Sequence, residues 1–373
     1  MFIFRNELLT LYFLVYICLL LLSLYANYKK SKIIDNTTFV LSVIIFILFI
    51  YSRDGYGVDE PTYLKAYVDY VSSPSNFRFD YSFRTLYWLL SVLDVSPTAF
   101  NEVIVLLMLA FVSCIVWIFT SSQSRSITLV LLLFSSTYLD LFFNAYRQAY
   151  ALLFLLFSFS FLFRQKLALF FVLAVISFGF HWSVLVVYIL YIISRLISLK
   201  WLKYILYTSI IFTLIALFRP LGIIGSIVYI VNFLPSNLFG DNLNRILMYL
   251  QSTEYSFYSL NLFGRIPTIM PVMVALFFSA FFFESIKKSR WLPLIILLSV
   301  YCVLLLEMAF SFRNYYWLLP LFPFLCADFI NETEAKVKNT DVSKLIIVGG
   351  LHCSLTIISF FSSPLLPLMF RFS

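Results

Sequence analysis

Long runs of apolar residues, separated by short polar segments, follow one another along almost the whole chain. A helix of about 17 to 25 such residues is long enough to cross the roughly 30 Å of hydrocarbon in a bilayer. Because a backbone in lipid must satisfy its hydrogen bonds internally, continuous runs of this length predict spanning α-helices. About twelve spans are predicted, at residues 8–26, 37–52, 100–120, 126–143, 145–163, 167–181, 183–199, 203–219, 265–284, 291–308, 314–330 and 345–362.

The predicted fold class is therefore all-α, a polytopic membrane protein that forms one integral membrane domain over residues 1–373. Two predicted outer segments are too long to be simple turns. The first, residues 53–101, contains an amphipathic stretch at 79–93 that is too short to span, which predicts a re-entrant or interfacial helix. The second, residues 219–264, is rich in aromatic residues and interrupted by proline and glycine, and it predicts a lid of short helices over a cavity.

Composition excludes a soluble domain, because 62% of the residues are hydrophobic, only 12% are charged and the mean hydropathy is +0.96. All five cysteines fall within apolar runs and are predicted to be buried thiols rather than disulfides. No Cys/His cluster has metal-site spacing, and no P-loop or dinucleotide-binding glycine motif is present. The sequence thus predicts no metal, no nucleotide or other cofactor, and no binding of nucleic acid.

The basic loops predict the orientation, since loops rich in lysine and arginine remain on the cytoplasmic side. When the predicted spans alternate, one side receives Lys29, Lys30 and Lys32, then Arg164 and Lys166, then Lys200 and Lys203, and then Lys287, Lys288 and Arg290. That side is predicted to be cytoplasmic, and both termini are predicted to face outward. The predicted location is a bacterial cytoplasmic (inner) membrane.

Lysine and arginine are distributed differently between the two sides. Eleven of the twelve lysines lie on the predicted inner side, whereas ten of the fourteen arginines lie outside or at outer helix ends. The rigid arginine fork binds phosphate in a bidentate geometry, so the outward surplus predicts an anionic ligand there. The alternative is that these arginines pair with outer carboxylates or with lipid headgroups.

Polar groups occupy several outer helix ends, where nearby hydrocarbon makes them costly. Asp59 belongs to a turn-forming segment at 55–63 and is predicted to lie at the mouth of the bundle, unless its charge serves only solubility. Arg147 lies in the first turn of a strongly apolar helix, which favours a position facing a cavity. A structural ion pair between Arg147 and Asp140 is the alternative.

Histidine offers a second kind of candidate chemistry. His181 lies at a junction between two predicted spans, where an imidazole serves as acid, base or hydrogen-bond donor, or alternatively as an interfacial anchor. His352 lies within a span and is predicted to be a packed core residue. Arg313 opens its predicted span as Arg147 does, with Glu307 nearby. Two arginines and one histidine at outer helix ends outline a site for a phosphorylated amphiphile.

Three short motifs follow one another in the first half of the chain. They are Gly-x-Asp-x-x-x-Tyr at Gly57, Asp59 and Tyr63, Asn-x-x-Arg-Gln at Asn144, Arg147 and Gln148, and Phe-His-x-Ser at Phe180, His181 and Ser183. Over residues 53–191 their order, spacing and predicted outward placement resemble the EpsG/Wzy-type polysaccharide polymerases. One position departs from that pattern: such proteins often have acidic-Pro-Gly-Phe where this chain has Asp80-Tyr81-Ser82-Phe83, which leaves the role of Asp80 open.

The resemblance implies a GT-C-like helical fold and an O-antigen, capsule or exopolysaccharide polymerase. Such enzymes move the growing glycan from undecaprenyl diphosphate to the non-reducing-end sugar of the next lipid-linked repeat unit, at the outer face of the membrane and without metal or nucleotide. It implies as partners the undecaprenyl-diphosphate-linked oligosaccharide, membrane lipid and, as further candidates, a chain-length regulator and a flippase of the same pathway.

This chemistry fits the candidate residues, because arginines stabilise the charge that grows on a leaving diphosphate and a base assists attack by a sugar hydroxyl. The predicted catalytic residues are Asp59, Arg147 and His181, with Asp59 or His181 as the base. The predicted diphosphate-binding residues are Arg53, Arg147, Arg245 and Arg313. The predicted sugar-binding residues are Tyr63, Gln148, Trp182 and Tyr315.

Two other functions are compatible with parts of the pattern. An O-antigen ligase-like glycosyltransferase would use the same arginines and histidine and differ only in its acceptor. A lipid-linked oligosaccharide flippase or other transporter belongs to a different class. Transporters place ionisable residues near the membrane midplane, whereas the inner halves of the predicted spans are nearly free of charge and no internal repeat is evident.

Overall fold

A computed structural model describes residues 7–53, 57–75, 79–233, 247–252, 256–332 and 342–362. These residues are predominantly helical and contain no β-strand. In chain order the helices are α1 (Glu7–Tyr28), α2 (Lys32–Ser52), α3 (Glu60–Ser72), α4 (Tyr81–Val92), α5 (Phe100–Phe119), α6 (Arg125–Leu133), α7 (Ser136–Phe143), α8 (Tyr146–Phe163), α9 (Leu167–Phe180), α10 (Val184–Leu196), α11 (Leu199–Phe218), α12 (Ile223–Asn232), α13 (Leu262–Phe281), α14 (Phe283–Ile286), α15 (Leu292–Leu304), α16 (Tyr315–Leu318), α17 (Phe322–Asn331) and α18 (Val342–Ser362).

Seven helices within the described residues are long and apolar enough to cross a membrane. They are α1, α2, α5 together with the 3₁₀ turn before it, α8, α11, α13 and α18. The pair α6 and α7 passes the same test as one crossing bent by 67°. The predicted class, an all-helical polytopic membrane protein, is thus confirmed with seven or eight candidate spans, while the count of twelve stays a prediction.

Three of the other predicted spans are shorter than expected. Helices α9, α10 and α15 have 14, 13 and 13 residues, which at about 1.5 Å per residue is roughly 20 Å. The single helix predicted over 314–330 is wrong, because a 3₁₀ turn at Leu319–Leu321 separates α16 from α17. Pro320 and Pro323 explain the interruption, since proline lacks the amide donor and clashes with the preceding turn.

The chain divides into two compact units. The first unit contains Met1–Tyr188 and Cys326–Ser373, and the second contains Ile189–Leu325. In the first unit α8 and α9 form the closest-packed pair, because the short turn at 164–166 reverses the chain. The start of α8 and the end of α9 therefore lie at the same end of this unit.

Basic loops gather at the opposite end of the first unit. Asn27 donates its side-chain amide to the Gln123 carbonyl oxygen at 2.8 Å, and the rings of Phe119 and Phe163 lie 6.0 Å apart. These contacts bring the turns after α1, α5 and α8 together. The basic residues of those turns are Lys29, Lys30, Lys32, Arg125, Arg164 and Lys166.

The bent pair divides the predicted span 126–143 and exposes backbone carbonyls where lipid offers no hydrogen bond. His352 Nε2 lies 2.7 Å from the Leu131 carbonyl oxygen, and the Tyr12 hydroxyl donates to the Leu133 carbonyl oxygen at 2.8 Å. Side chains from α18 and α1 thus donate hydrogen bonds to carbonyl oxygens at the break between α6 and α7. His352 is buried, as predicted for a core residue.

In the second unit α11 packs against α13 and α15, and short elements follow α11. Within the described part of the predicted lid, Gly222 takes a left-handed conformation before α12 and donates its amide to Glu307 at 2.7 Å. Arg265 donates to the carbonyl oxygens of Leu260 at 2.9 Å and Tyr258 at 3.2 Å, so this outward arginine serves the backbone. That the segment covers a cavity stays a prediction.

Candidate functional site

The turn at residues 57–59 before α3, the Asp59 turn, is anchored on the junction between α7 and α8. A Cβ added to Gly57 would collide with the backbone carbonyl of Phe143, so this close approach requires glycine. The Asp59 amide donates to the Asn144 side chain at 2.8 Å, and Asn144 donates in turn to Asp140 at 2.9 Å. Two motifs separated by more than 80 residues in the sequence thereby form one surface.

A buried ion pair between Arg53 and Glu60 lies beneath this turn, with side-chain exposures of 7% and 0%. Tyr146 donates its hydroxyl to Glu60 at 2.6 Å, and the Arg53 guanidinium lies 3.8 Å from the centre of the Phe143 ring. Burial raises the pKa of Glu60, and the charge of Arg53 opposes that rise. The structure therefore places Arg53 inside the first unit, where it pairs with the Glu60 carboxylate.

Arg147 has a different environment in the first turn of α8. Its guanidinium forms an ion pair with Asp80, lies 5.1 Å from the Phe79 ring and keeps 24% of its side chain exposed. Asp80 is 38% exposed, and the buried Nε of Arg147 has no hydrogen-bond partner. Arg147 is thus accessible, whereas Arg53 is not.

Helix α4, predicted as an interfacial or re-entrant helix, packs on the last turns of α9. Tyr81 donates its hydroxyl to the Val175 carbonyl oxygen at 2.6 Å, and Ser82 donates to that of Ile176 at 2.9 Å. Gly179 permits this approach, since an added Cβ would collide with Ser82 and Tyr81. The helix itself is confirmed, and its contacts fix Asp80 close to the end of α9.

His181 directly follows α9 at the same end of the first unit as Arg147. The rings of Tyr150 and Phe180 stack at 5.2 Å, which joins the first turn of α8 to the residue before His181. The Ser183 amide donates to His181 Nδ1 at 3.3 Å, and the Ser183 hydroxyl lies 2.7 Å from the same atom. Because an amide only donates, this contact favours the neutral tautomer in which Nδ1 is unprotonated and Nε2 carries the proton.

The predicted sugar-binding residues of the first unit differ in exposure. Tyr63 and Gln148 are buried, and the Tyr63 ring stacks on Tyr146 at 4.9 Å. Trp182 is exposed, and its ring lies nearly parallel to that of His181 with the centres 6.5 Å apart. Only Trp182 of these three presents a large aromatic surface outward.

The remaining predicted site residues belong to the second unit or lie outside the described residues. Arg313 and Tyr315 belong to the second unit, where the Arg313 guanidinium lies 5.1 Å from the Phe310 ring. Phe310 adopts φ 53°, a left-handed conformation that is strained for a large side chain. Tyr315 is buried. Arg245 lies outside the described residues.

Asp80, Glu60 and Tyr146 were not among the predicted site residues. The sequence offered Asp140 as a partner for Arg147, and the structure pairs Arg147 with Asp80. The departure from the family pattern at residues 80–83 lies in the segment that pairs with Arg147, because it begins with Asp80, the N-cap residue of α4. Within the described residues, no group of three or more His, Cys, Asp or Glu side chains is arranged to hold a metal ion.

Comparison with protein families and with individual proteins gives one match. A model of the EpsG family matches residues 36–369, which is most of the chain and includes both the Asp59 turn and the Arg147 and His181 junctions. No curated protein and no solved structure matches.

Proposed function

The chain belongs to the EpsG family, and from this premise we propose that it is a polysaccharide polymerase acting on lipid-linked repeat units. In the proposed reaction, a hydroxyl of the acceptor's non-reducing-end sugar attacks the anomeric carbon of the growing glycan. The bond from that carbon to undecaprenyl diphosphate breaks, the diphosphate leaves with the electron pair, and a base takes the hydroxyl proton. Family membership supports a polymerase-type role, and the residues below carry the finer proposal.

Arg147 carries this proposal. Its guanidinium is accessible at the site end of the first unit, and it lies at the N-terminus of an 18-residue helix, whose dipole favours anions. A fixed guanidinium at this point would stabilise the charge that develops on the leaving diphosphate. Arg53 is committed to Glu60, so we assign it to the support of the Asp59 turn instead of to the substrate.

We assign the general base to Asp59. The Ser183 amide favours the neutral tautomer of His181 with the proton on Nε2, and in that tautomer Nε2 donates a hydrogen bond instead of accepting a proton. This suits His181 to orienting the acceptor sugar, and the exposed ring of Trp182 beside it suits stacking on a sugar face. The buried Tyr63 and Gln148 would line the deeper part of the site.

The remaining assignments rest on the sequence pattern. They are binding of the diphosphate by Arg313 and Arg245, binding of sugar by Tyr315, a reaction without metal or nucleotide, and partnership with a chain-length regulator and a flippase. The outward orientation of the site rests on the basic loops at the opposite end of the first unit.

A substitution of Arg147 tests the proposal in cells. Arg147→Ala, expressed at the wild-type level, is expected to reduce the ladder of surface glycan to single repeat units, because the donor stays on its lipid. The matched control is Arg164→Ala, which removes an exposed arginine from the other end of the same helix and should keep the ladder.

Two outcomes would contradict the proposal. A normal ladder from Arg147→Ala would remove the assigned role of this residue. Loss of all surface glycan, with long polymer still attached to its lipid carrier, would instead identify a ligase.

A further inference from the structure

In the absence of a ligand, a neighbouring carboxylate neutralises the charge of Arg147. Asp80, which belongs to the turn before α4, forms an ion pair with it, and both side chains are partly exposed. A charge held next to hydrocarbon needs a counter-ion, and Asp80 supplies it when no substrate is bound. A phosphate that binds the same edge of the Arg147 guanidinium competes with the Asp80 carboxylate.

The Asp80 carboxylate is directed toward Arg147 and not into its own helix. Asp80 occupies the N-cap position of α4, where aspartate usually accepts a backbone amide, yet its side chain makes no capping hydrogen bond. The next two residues, Tyr81 and Ser82, donate hydrogen bonds to carbonyl oxygens of α9, and these hydrogen bonds hold Asp80 in place. A tethered group has a high effective concentration at its partner, so Asp80 is a strong local competitor.

Phospholipid headgroups are the anions that a helix at the membrane interface meets. The exposed face of α4 carries Arg84 and Thr85 close to Asp80 and is apolar beyond them, at Trp88, Leu89 and Val92, while Phe83 and Tyr87 are buried on the opposite face. A short amphipathic helix with such a face lies at the membrane interface, among the headgroups. Singly charged phosphodiesters are therefore abundant beside Arg147.

We propose that Asp80 is a specificity-determining residue that keeps singly charged phosphodiesters off Arg147 and yields to a diphosphate. A phosphodiester carries the same charge as the tethered carboxylate and gains nothing by replacing it. A diphosphate carries more negative charge on more oxygen atoms, so it displaces Asp80 and engages the guanidinium. This inference rests on the proposed function, because it assumes that a lipid diphosphate is the ligand of Arg147.

The test compares two lipids on the purified full-length protein. Dissociation constants are measured for undecaprenyl diphosphate and for phosphatidylglycerol, using wild type, Asp80→Asn, Arg147→Ala and the control Asp69→Asn. Asparagine is as good an N-cap residue as aspartate, so α4 should remain folded, and a thermal melting curve checks this. Asp69 is exposed on α3, and its replacement makes the same change in charge away from Arg147.

Asp80→Asn is expected to bind phosphatidylglycerol about tenfold more tightly than wild type, which corresponds to about 1.4 kcal/mol. Its preference for the diphosphate should shrink, and phosphatidylglycerol should now inhibit polymerisation. Asp69→Asn should match wild type in every measurement.

The inference alone fails if Arg147→Ala loses the diphosphate lipid while Asp80→Asn and wild type discriminate equally between the two lipids. It also fails if Asp80→Asn binds both lipids less tightly with a lowered melting temperature, since Asp80 would then be a structural support. Undiminished binding of the diphosphate by Arg147→Ala would overturn both the inference and the proposed function.

Discussion

Two arginines with the same predicted role, Arg53 and Arg147, have opposite environments. Both lie at outer helix ends in the sequence, Arg53 after a predicted span and Arg147 in the first turn of one. Arg53 is buried between Glu60, with which it forms an ion pair, and the ring of Phe143, which is distant in the sequence. Arg147 meets Asp80 at a partly exposed position. The residue types of the site were predictable, whereas their partners depend on tertiary contacts that periodicity does not encode.

Removing the charge of Glu60 should destabilise the first unit. Glu60→Gln leaves Arg53 buried without a counter-ion, which is expected to lower the free energy of unfolding by about 3 to 5 kcal/mol. Thermal unfolding in detergent measures the effect. Glu284→Gln removes two exposed ion pairs, with Lys203 and with Lys287, which solvent screens, and it should leave the melting temperature close to that of wild type. Equal melting temperatures for the two variants would contradict the structural role of Arg53.

The contact at Gly57 allows a second test at this scale. Gly57→Ala introduces a Cβ that collides with the Phe143 backbone, which cannot move aside as a flexible side chain would. The Asp59 turn should separate from Asn144, and polymer length should fall although Asp59 is still present. Gly225→Ala is the control, because no atom lies within 4 Å of its added Cβ. Full-length polymer from Gly57→Ala would show that the turn does not need this anchor.

At the scale of elements, the sequence predicted the helical class, but it predicted residues 126–143 and 314–330 as continuous spans although each is interrupted. The interruption at 319–321 has a local cause in Pro320 and Pro323, so the sequence contained the information. The bend between α6 and α7 has no proline or glycine to mark it. It is stabilised by His352 and Tyr12 from distant helices, which no reading of residues 126–143 reveals.

His352 should therefore matter for stability at the bend. His352→Phe keeps an aromatic ring but removes the donor to the Leu131 carbonyl oxygen and the partner of the buried Tyr16 hydroxyl, which lies 2.8 Å from Nδ1, an expected loss of about 1 to 3 kcal/mol. His352→Gln retains a donor and should recover part of that loss. Thermal unfolding of both variants checks the assignment, and a histidine-to-phenylalanine change without effect would mean that the bend is held by packing alone.

At the scale of the whole molecule, the membrane class was predictable because the constraint acts on composition and run length. The first unit also brings the predicted outer residues Asp59, Arg147 and His181 to one end, and the basic turns to the other. The number of spans was harder to predict, because hydropathy does not distinguish a full crossing from a helix of 13 or 14 residues.

Cysteine labelling tests the orientation of the first unit. Ser75 lies in the exposed turn after α3, and Ser121 lies in the exposed turn after α5 at the basic end, so the two variants are Ser75→Cys and Ser121→Cys. In a background without the native cysteines, an impermeant maleimide added to intact spheroplasts should label position 75 only. Position 121 should react after permeabilisation. The reverse pattern would place the candidate site in the cytoplasm.

The most direct test of the central claim is reconstitution of the reaction from purified components. Wild-type protein and Arg164→Ala, given a synthetic undecaprenyl-diphosphate-linked repeat unit, should form a ladder of longer glycans and release undecaprenyl diphosphate. Arg147→Ala should fold normally and lose about 100-fold or more in rate, the usual effect of removing one donor that stabilises a developing negative charge. An Arg147→Ala protein that extends the glycan at the wild-type rate would contradict the account.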